Sequence, residues 1–424
     1  MVGRNLKVQH MRILIYSTNF APEPTGIGKY SGEMAAWLAD HGHEVRVVAA
    51  PPYYPAWKTD RKYVWPPFRR EQWRGVDVWR TPLWVPKSPG GFTRIVHLLS
   101  FAITSFPVMM WQVLWRPDLV LTVAPAFVCT PAALLTARLA RARTWLHLQD
   151  FEIDVAFGLG LLKGKLLQRI VLRMERSVLR RFDTVSTISG RMVERLLTKG
   201  VVPERTRYFP NWVDLSRTRH GSAKGMYRAQ LGIPDDAVVA LFSGSLAGKQ
   251  GLMVIPAAAS LLRNRSNIVF VVCGDGLMKP DLETAVAGLP NVRLLPLQPA
   301  ARLSELLGMA DIHLLPQSPD AADLVLPSKL SGMLASGRPV VATCRPGTEI
   351  SEIVSRCGLV VAPQDSTALA LAVSRLADDM AMRLELGRRA REFAESNFER
   401  NAVLGMMFGA LEQAVPGIAN DVAA

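Results

Sequence analysis

The feature that most constrains this chain is a rhythm in which short buried-strand runs alternate with helix-period stretches, twice over. "RILIYST" (12–18) reads as a strand buried on both faces, "GKYSGEMAAWLADHG" as an amphipathic helix ending at Gly42, and "EVRVVAA" (44–50) as the next strand. The beat continues through "DLVLTVAP" (118–125), a helix near 128–141, "RTWLHLQD" (143–150) and "DTVSTIS" (183–189) with a helix behind it. A turn-rich passage, "FPNWVDLSRTRHGSA" (209–223), breaks the pattern. A second series then runs from 238: "VVALFSGS", a helix at 252–264, "NIVFVVCGDG" (267–276), a helix near 279–288, "VRLLPL", a helix near 302–309, "IHLLPQ", "VVATC" and "GLVVAP". Continuous apolar strands joined by helical crossovers require a parallel sheet covered on both faces, so the class is α/β with two Rossmann-like doubly wound domains in tandem. A chain of 424 residues is too long for one core and accommodates both. Tandem sheets of this kind place a ligand cleft at the carboxyl ends of their strands.

Cysteine and charge narrow the function classes. Cys129, Cys273, Cys344 and Cys357 form no C-x-x-C pair, which argues against zinc, redox-motif and disulfide roles and fits a reducing compartment. The run "MRILIYS" is too short for a signal sequence, and residues 1–10 read as an extension preceding Met11. Residues 1–215 carry 30 Lys and Arg against 16 Asp and Glu, whereas 216–424 carry 20 against 20, so the whole excess of +14 lies in the first half. That half is built to face something anionic: nucleic acid, a phospholipid surface or a phosphorylated substrate.

Between Arg94 and Arg116 lie 21 residues without a charge, "IVHLLSFAITSFPVMMWQVLW", enough to cross a hydrocarbon core of ~20 residues. His97, Pro107 and Gln112 dilute the run, which leaves three readings open: a helix lying in the membrane interface, a buried helix, or a span. The segment "LLKGKLLQRIVLRMERSVLRRF" (161–182) repeats aliphatic residues at helical spacing among Lys163, Lys165, Arg169, Arg173, Arg176, Arg180 and Arg181. It suits a membrane surface or a solvated face over the core equally well.

The stretches "NFAPEPTGIGKYSGEMAAWLADHGHEV", "HLQDFEIDVAFGLG" and "LPSKL...GRPVV" resemble the retaining nucleotide-sugar glycosyltransferases of family 4, which have the GT-B fold, and within them the exopolysaccharide enzymes of the colanic-acid type. The likeness runs from about Met11 to the C-terminal helix. It implies a role for each motif. In "EPTGIGKY" (23–30), Gly26 and Gly28 match the turn after the first strand that approaches the donor diphosphate and sugar, although a plain turn explains a lone G-x-G. His147 matches the histidine beside the reacting carbon, with a satisfied core histidine as the plainer reading, and Asp150 lies where an acceptor hydroxyl arrives unless it merely caps or solvates its loop. In "FSGSLAGKQGL" (242–252), Gly244 and Lys249 match the diphosphate loop, while Ser245 stands where the family has an arginine. Gly274 in "CGDG" matches a turn that leaves room for the nucleotide, and Gln298 in "LQPAARLSELL" falls where the base is held.

The stretch "DLVLPSKLSGMLASGRPVVAT" (323–343) departs from the family, because its two glutamates would fall near Leu324 and at Gly332 and neither is present. A subgroup carries Pro-Ser-Lys before this helix. The resemblance then gives Ser328 and Lys329 to the phosphates, with Lys329 replacing the charge lost at Ser245, and leaves Asp323 either reaching sugar hydroxyls or solvated.

The implied reaction is transfer from a GDP- or UDP-linked sugar with retention and without a metal or other cofactor, the diphosphate being held by amides and lysines. The expected acceptor is a polyprenyl-diphosphate-linked saccharide, and the expected location is cytoplasmic, peripheral on the anionic inner face of the plasma membrane, with no nucleic acid bound. The expected divisions are 11–215 for the acceptor domain, 216–392 for the donor domain, and a helix over 393–415 that crosses back. A nucleotide-sugar epimerase of the same fold and a non-catalytic basic protein binding membrane or nucleic acid remain alternatives.

Overall fold

The structure, a computed structural model, describes residues 10–87, 90–124, 127–151, 153–154, 164–216, 225–319 and 326–414. The chain divides into two compact units, Met1–Pro210 with Leu404–Ala424, and Asn211–Val403.

The first unit is built on an eight-stranded sheet: β1 (Arg12–Ser17), β2 (Glu44–Ala49), β3 (Arg69–Trp73), β4 (Val76–Arg80), β5 (Leu119–Ala124), β6 (Arg143–Leu148), β7 (Thr184–Thr187) and β8 (Thr206–Tyr208). Their order is β3-β4-β2-β1-β5-β6-β7-β8, all parallel except the β3–β4 hairpin at the edge. That hairpin was not evident in the sequence. Its first strand, "RREQW", is polar up to its last residue, and its second, "VDVWR", carries charges at Asp77 and Arg80; the turn is made by Arg74 and Gly75, both with positive φ (49° and 79°) as a two-residue turn between twisted strands requires. One sheet face, bearing Leu14, Tyr16, Val48 and Val120, is covered by Phe101 and Met109 of the helix Gly91–Gln112 and by Ala132, Ala133 and Ala137 of the helix Thr130–Ala140.

The second unit holds six parallel strands: β9 (Val238–Ser243), β10 (Ile268–Cys273), β11 (Val292–Leu295), β12 (Ile312–Pro316), β13 (Val340–Thr343) and β14 (Gly358–Val361), ordered β11-β10-β9-β12-β13-β14. Alternate residues of β9 serve opposite cores. Val238, Ala240 and Phe242 pack with helices Val254–Leu261 and Ser366–Asp378, while Val239 and Leu241 pack with Tyr227, Leu306 and Leu307. Burial on both faces is why these strands read as unbroken apolar runs.

The helix expected over 393–415 is two helices, Met380–Phe398 and Arg400–Ala414. At the break, Val213 N–H donates to the Phe398 carbonyl (2.8 Å) and Arg400 N–H to the Val213 carbonyl (3.2 Å), so a short bridge replaces helical bonding around Glu399. From Leu404 the second helix belongs to the first unit, where Phe408 lies against Trp37 and His43 with ring centroids 6.1 and 4.9 Å away.

Candidate active site

Both sheets reverse their winding direction once, the first between β1 and β5 and the second between β9 and β12. Loops leaving the carboxyl ends at such a point diverge and leave room for a ligand. Among the described residues, those expected at the site lie at or follow the carboxyl ends of strands in their own unit.

In the first unit, Gly26 (φ 60°) opens the helix Gly26–Asp40 just after β1. Gly28, in the first turn of that helix, is required by its neighbour. A Cβ there would sit 2.4 Å from Glu23 Oε2, so the space left by the glycine is filled by a protein carboxylate. Glu23 is buried and accepts from the backbone N–H groups of Tyr53 (3.1 Å) and Tyr54 (3.0 Å) and from Asn19 Nδ2 (3.0 Å). It therefore fastens the loop after β1 to the loop after β2. Burial raises its pKa, and the Tyr53, Tyr54 and Asn19 donors together with the Arg80 charge oppose that rise. Burial also raises the pKa of Tyr54, with the charges of Glu23 and Asp150 adding to the effect and Arg94 opposing it. Glu23, Asp150 and Arg94 thus all act on Tyr54 at this end of the sheet.

His147 lies at the end of β6, fully desolvated, and burial lowers its pKa to about 3. It is a neutral imidazole across physiological pH. Gln149 Nε2 donates to His147 Nε2 (2.9 Å), which leaves Nδ1–H to donate to Ser186 Oγ (2.9 Å); Ser186 also accepts from Trp145 Nε1–H (2.7 Å). Phe209 closes one face at 4.9 Å. Both ring nitrogens are engaged within the protein, so contact between Nε2 and a ligand requires the Gln149 amide to turn aside. Neither Gln149 nor Ser186 was marked by the sequence, because neither type is diagnostic at a strand end.

In the second unit, the helix Lys329–Ala335 begins directly after Ser328, which is exposed and makes no side-chain capping bond. Lys329 Nζ donates to Gln250 Oε1 (2.8 Å) and rests 4.0 Å from the centroid of the Phe242 ring. Its Cδ lies 3.4 Å from where a Cβ on Gly244 (φ 146°) would be. The loop after β12 is thus brought onto the loop after β9, the one containing Gly244, exposed Ser245 and Lys249, across the point where the sheet reverses. Lys249 lies on the turn Gly248–Gln250; its side chain and Asp323 are outside the described residues. Gly274 serves the protein itself, since a Cβ there would lie 1.9 Å from the Gly244 carbonyl oxygen. The two strand-end turns pack backbone on backbone. Gln298 is similarly occupied, accepting from Tyr227 Oη–H (2.9 Å) and donating to the Pro296 carbonyl (2.9 Å).

Comparison with known proteins gives these residues a context. A glycosyl transferase 4-like domain matches residues 25–212, and a glycosyl transferases group 1 domain matches residues 237–379. The chain is 41% identical over 405 residues to WcaI of Escherichia coli, named as a colanic acid biosynthesis glycosyl transferase, covering 93% of this chain and 98% of that one. Among solved structures, sucrose-phosphate synthase from Thermosynechococcus elongatus superposes with a TM-score of 0.72 at 19% identity, over 95% of this chain and 99% of that one. HepE of Anabaena, in complex with UDP-glucose, gives 0.68 at 17% identity, over 95% and 100%.

Proposed function

The chain belongs to the family 4 glycosyltransferases of the GT-B fold, and on that premise we propose that it moves a sugar from a GDP- or UDP-linked donor to a lipid-linked saccharide during exopolysaccharide synthesis. The observation that carries the donor side is the approach of Lys329 to the Gly244–Gln250 loop. The diphosphate gains charge as the sugar leaves, and a cation fixed beforehand by Phe242 and Gln250 stabilises that charge without reorganising. Lys329, with Ser328 and Lys249, takes the role for which most of the family uses an arginine, and no metal is required for it.

His147, held neutral, offers Nε2 to the sugar as a hydrogen-bonding group when the Gln149 amide turns aside, not as a cation. Asp150, whose charge reaches Tyr54, faces the acceptor hydroxyl. Transfer proceeds with retention, the departing phosphate receiving the acceptor proton. The acceptor is a polyprenyl-diphosphate-linked saccharide, and the enzyme works on the cytoplasmic face of the plasma membrane. The likeness to WcaI and the basic excess of the first half support this.

The test is a panel of nucleotide sugars offered to purified protein with membrane extract, followed by mass analysis of the lipid fraction. One donor should yield a lipid-linked product heavier by one sugar. Isomerisation of a nucleotide sugar in the absence of acceptor, with no lipid product, refutes the proposal.

A further inference from the structure

The helix Gly91–Gln112 is turned inside out relative to a solvated helix. Its buried line consists of His97, Phe101, Ser105, Met109 and Gln112, three of them polar. Ser105 Oγ and Tyr16 Oη share a hydrogen bond of 2.5 Å, and His97 Nδ1 bonds the Trp84 carbonyl at 2.6 Å. Its outward line is Phe92, Ile95, Leu99, Ile103 and Phe106, continued by Trp111 and Leu114, and Ile103 is 70% exposed. Arg94 is the single charge on the helix, and Arg116 follows its end. At 1.5 Å per residue the apolar line is ~33 Å long. The neighbouring helix Thr130–Ala140, tied to it by the Thr136 hydroxyl on the Met109 carbonyl (3.4 Å), exposes Leu135 and Leu139.

A depression of about 640 Å³ opens at the foot of these two helices, lined in part by Arg116, Arg138, Arg141, Arg143, Asp118 and Asp183. Arg143 is paired with Asp183 (3.2 Å), and the Asp118 carboxylate accepts from the Arg12 backbone N–H (2.7 Å). Arg116, Arg138 and Arg141 are exposed and have no carboxylate within ion-pairing distance among the described residues. An apolar surface of this extent marks an interaction site. Uncompensated cations at one end of it select a partner with dense negative charge.

We propose that these two helices seat on an anionic phospholipid bilayer, lying in its plane, with lipid phosphates entering the depression at Arg116, Arg138 and Arg141. A span is excluded by construction, because one side of the helix Gly91–Gln112 is part of the core over the first sheet. A second copy meeting this surface through the same two helices brings no acidic residue to the arginines, since neither helix contains one, whereas anionic lipid neutralises them. Insertion of the outer apolar line by ~5–10 Å is the depth of an interfacial helix. The inference builds on the membrane-side acceptor proposed above and adds the surface that does the docking.

The experiment is flotation of the full-length protein with vesicles of phosphatidylcholine alone or of phosphatidylcholine mixed with anionic phosphatidylglycerol. The protein should float with the anionic vesicles and stay behind with the neutral ones. The triple variant Arg116→Gln, Arg138→Gln, Arg141→Gln should partition about 100-fold more weakly, at roughly fivefold per arginine. The double variant Ile103→Gln, Phe106→Gln should also be lost from the vesicles. A nitroxide on Ile103→Cys should become accessible to oxygen and shielded from a water-soluble nickel chelate when vesicles are added.

Equal binding to neutral vesicles, wild-type flotation of both variants, or a concentration-dependent dimer abolished by Ile103→Gln, Phe106→Gln overturns the docking surface. Unchanged melting of the variants and their retained transfer to a water-soluble acceptor show that fold and site are intact. If flotation behaves as expected while no donor supports transfer, the proposed reaction fails and the docking surface stands.

Discussion

Replacing Lys329 by Ala separates a catalytic cation from a structural one. In the folded chain its ammonium rests 4.0 Å from the Phe242 ring centroid and donates to Gln250 at 2.8 Å. Removing both contacts costs ~1 kcal/mol for the ring and ~1 kcal/mol for the hydrogen bond, which lowers the melting temperature by roughly 4–8 °C in a unit of this size. The effect on transfer is larger. A unit charge about 4 Å from a phosphate oxygen, with an effective dielectric of ~20, is worth ~4 kcal/mol, and losing one preorganised donor to a developing charge lowers kcat by about 10²–10³. The assay is steady-state release of the nucleoside diphosphate with the best donor, alongside calorimetric binding of that diphosphate. The expected result is a fall of at least ~100-fold in kcat/KM with a small shift in melting. A variant within threefold of wild type in kcat/KM refutes the role given to Lys329. So does one whose loss of activity is fully accounted for by unfolding.

Gly274→Ala should destabilise the second unit by about 3 kcal/mol or more, because its Cβ would meet the Gly244 carbonyl and that backbone cannot yield as a side chain end could; a urea titration checks this, and an unchanged midpoint contradicts it. Lys199→Met should cost ~3–5 kcal/mol, since it strands the buried Glu175 without its cation and leaves Asp154 to Arg195 alone; the double variant Lys199→Met, Glu175→Leu should recover part of the loss. Acid should weaken the fold through its buried neutral histidines. His147 and His313 are held to about 3 by burial, below the usual value near 6.5, so the unfolded chain takes up more protons as pH falls. The stability due to their neutrality is whole above pH 6.5 and declines from there toward pH 3, by at most ~1.4 kcal/mol per pH unit for each histidine. Denaturation midpoints between pH 7 and 5 should show that decline, and it should be shallower in His147→Gln.

What the sequence disclosed follows the physics of burial. "RILIYS", "VVALFS" and "IVFVVC" could be read at once, because a strand covered on both faces has no polar positions to confuse it. The β3–β4 hairpin lies at an edge, where charged residues such as Arg70 and Asp77 pair across strands and resemble a solvated loop. The candidate site is legible as positions but not as partnerships. His147 and Lys329 could be marked from where they fall, whereas Gln149 and Gln250, which hold them, are ordinary residues made significant by contacts only folding creates. The glycines show the same limit from the other side: the sequence matches Gly28 to a turn approaching the donor and Gly274 to one leaving room for the nucleotide, and the fold sets Glu23 and the Gly244 carbonyl where their Cβ atoms would be. A glycine in a sequence records that something comes close, and its identity depends on the tertiary neighbour. The apolar run from Ile95 to Trp115 obeys the same logic. Its length allowed three placements, and the orientation of His97, Ser105 and Gln112 toward the core removes the span, because a helix that commits its polar side chains to its own sheet has only its apolar face left to offer outward.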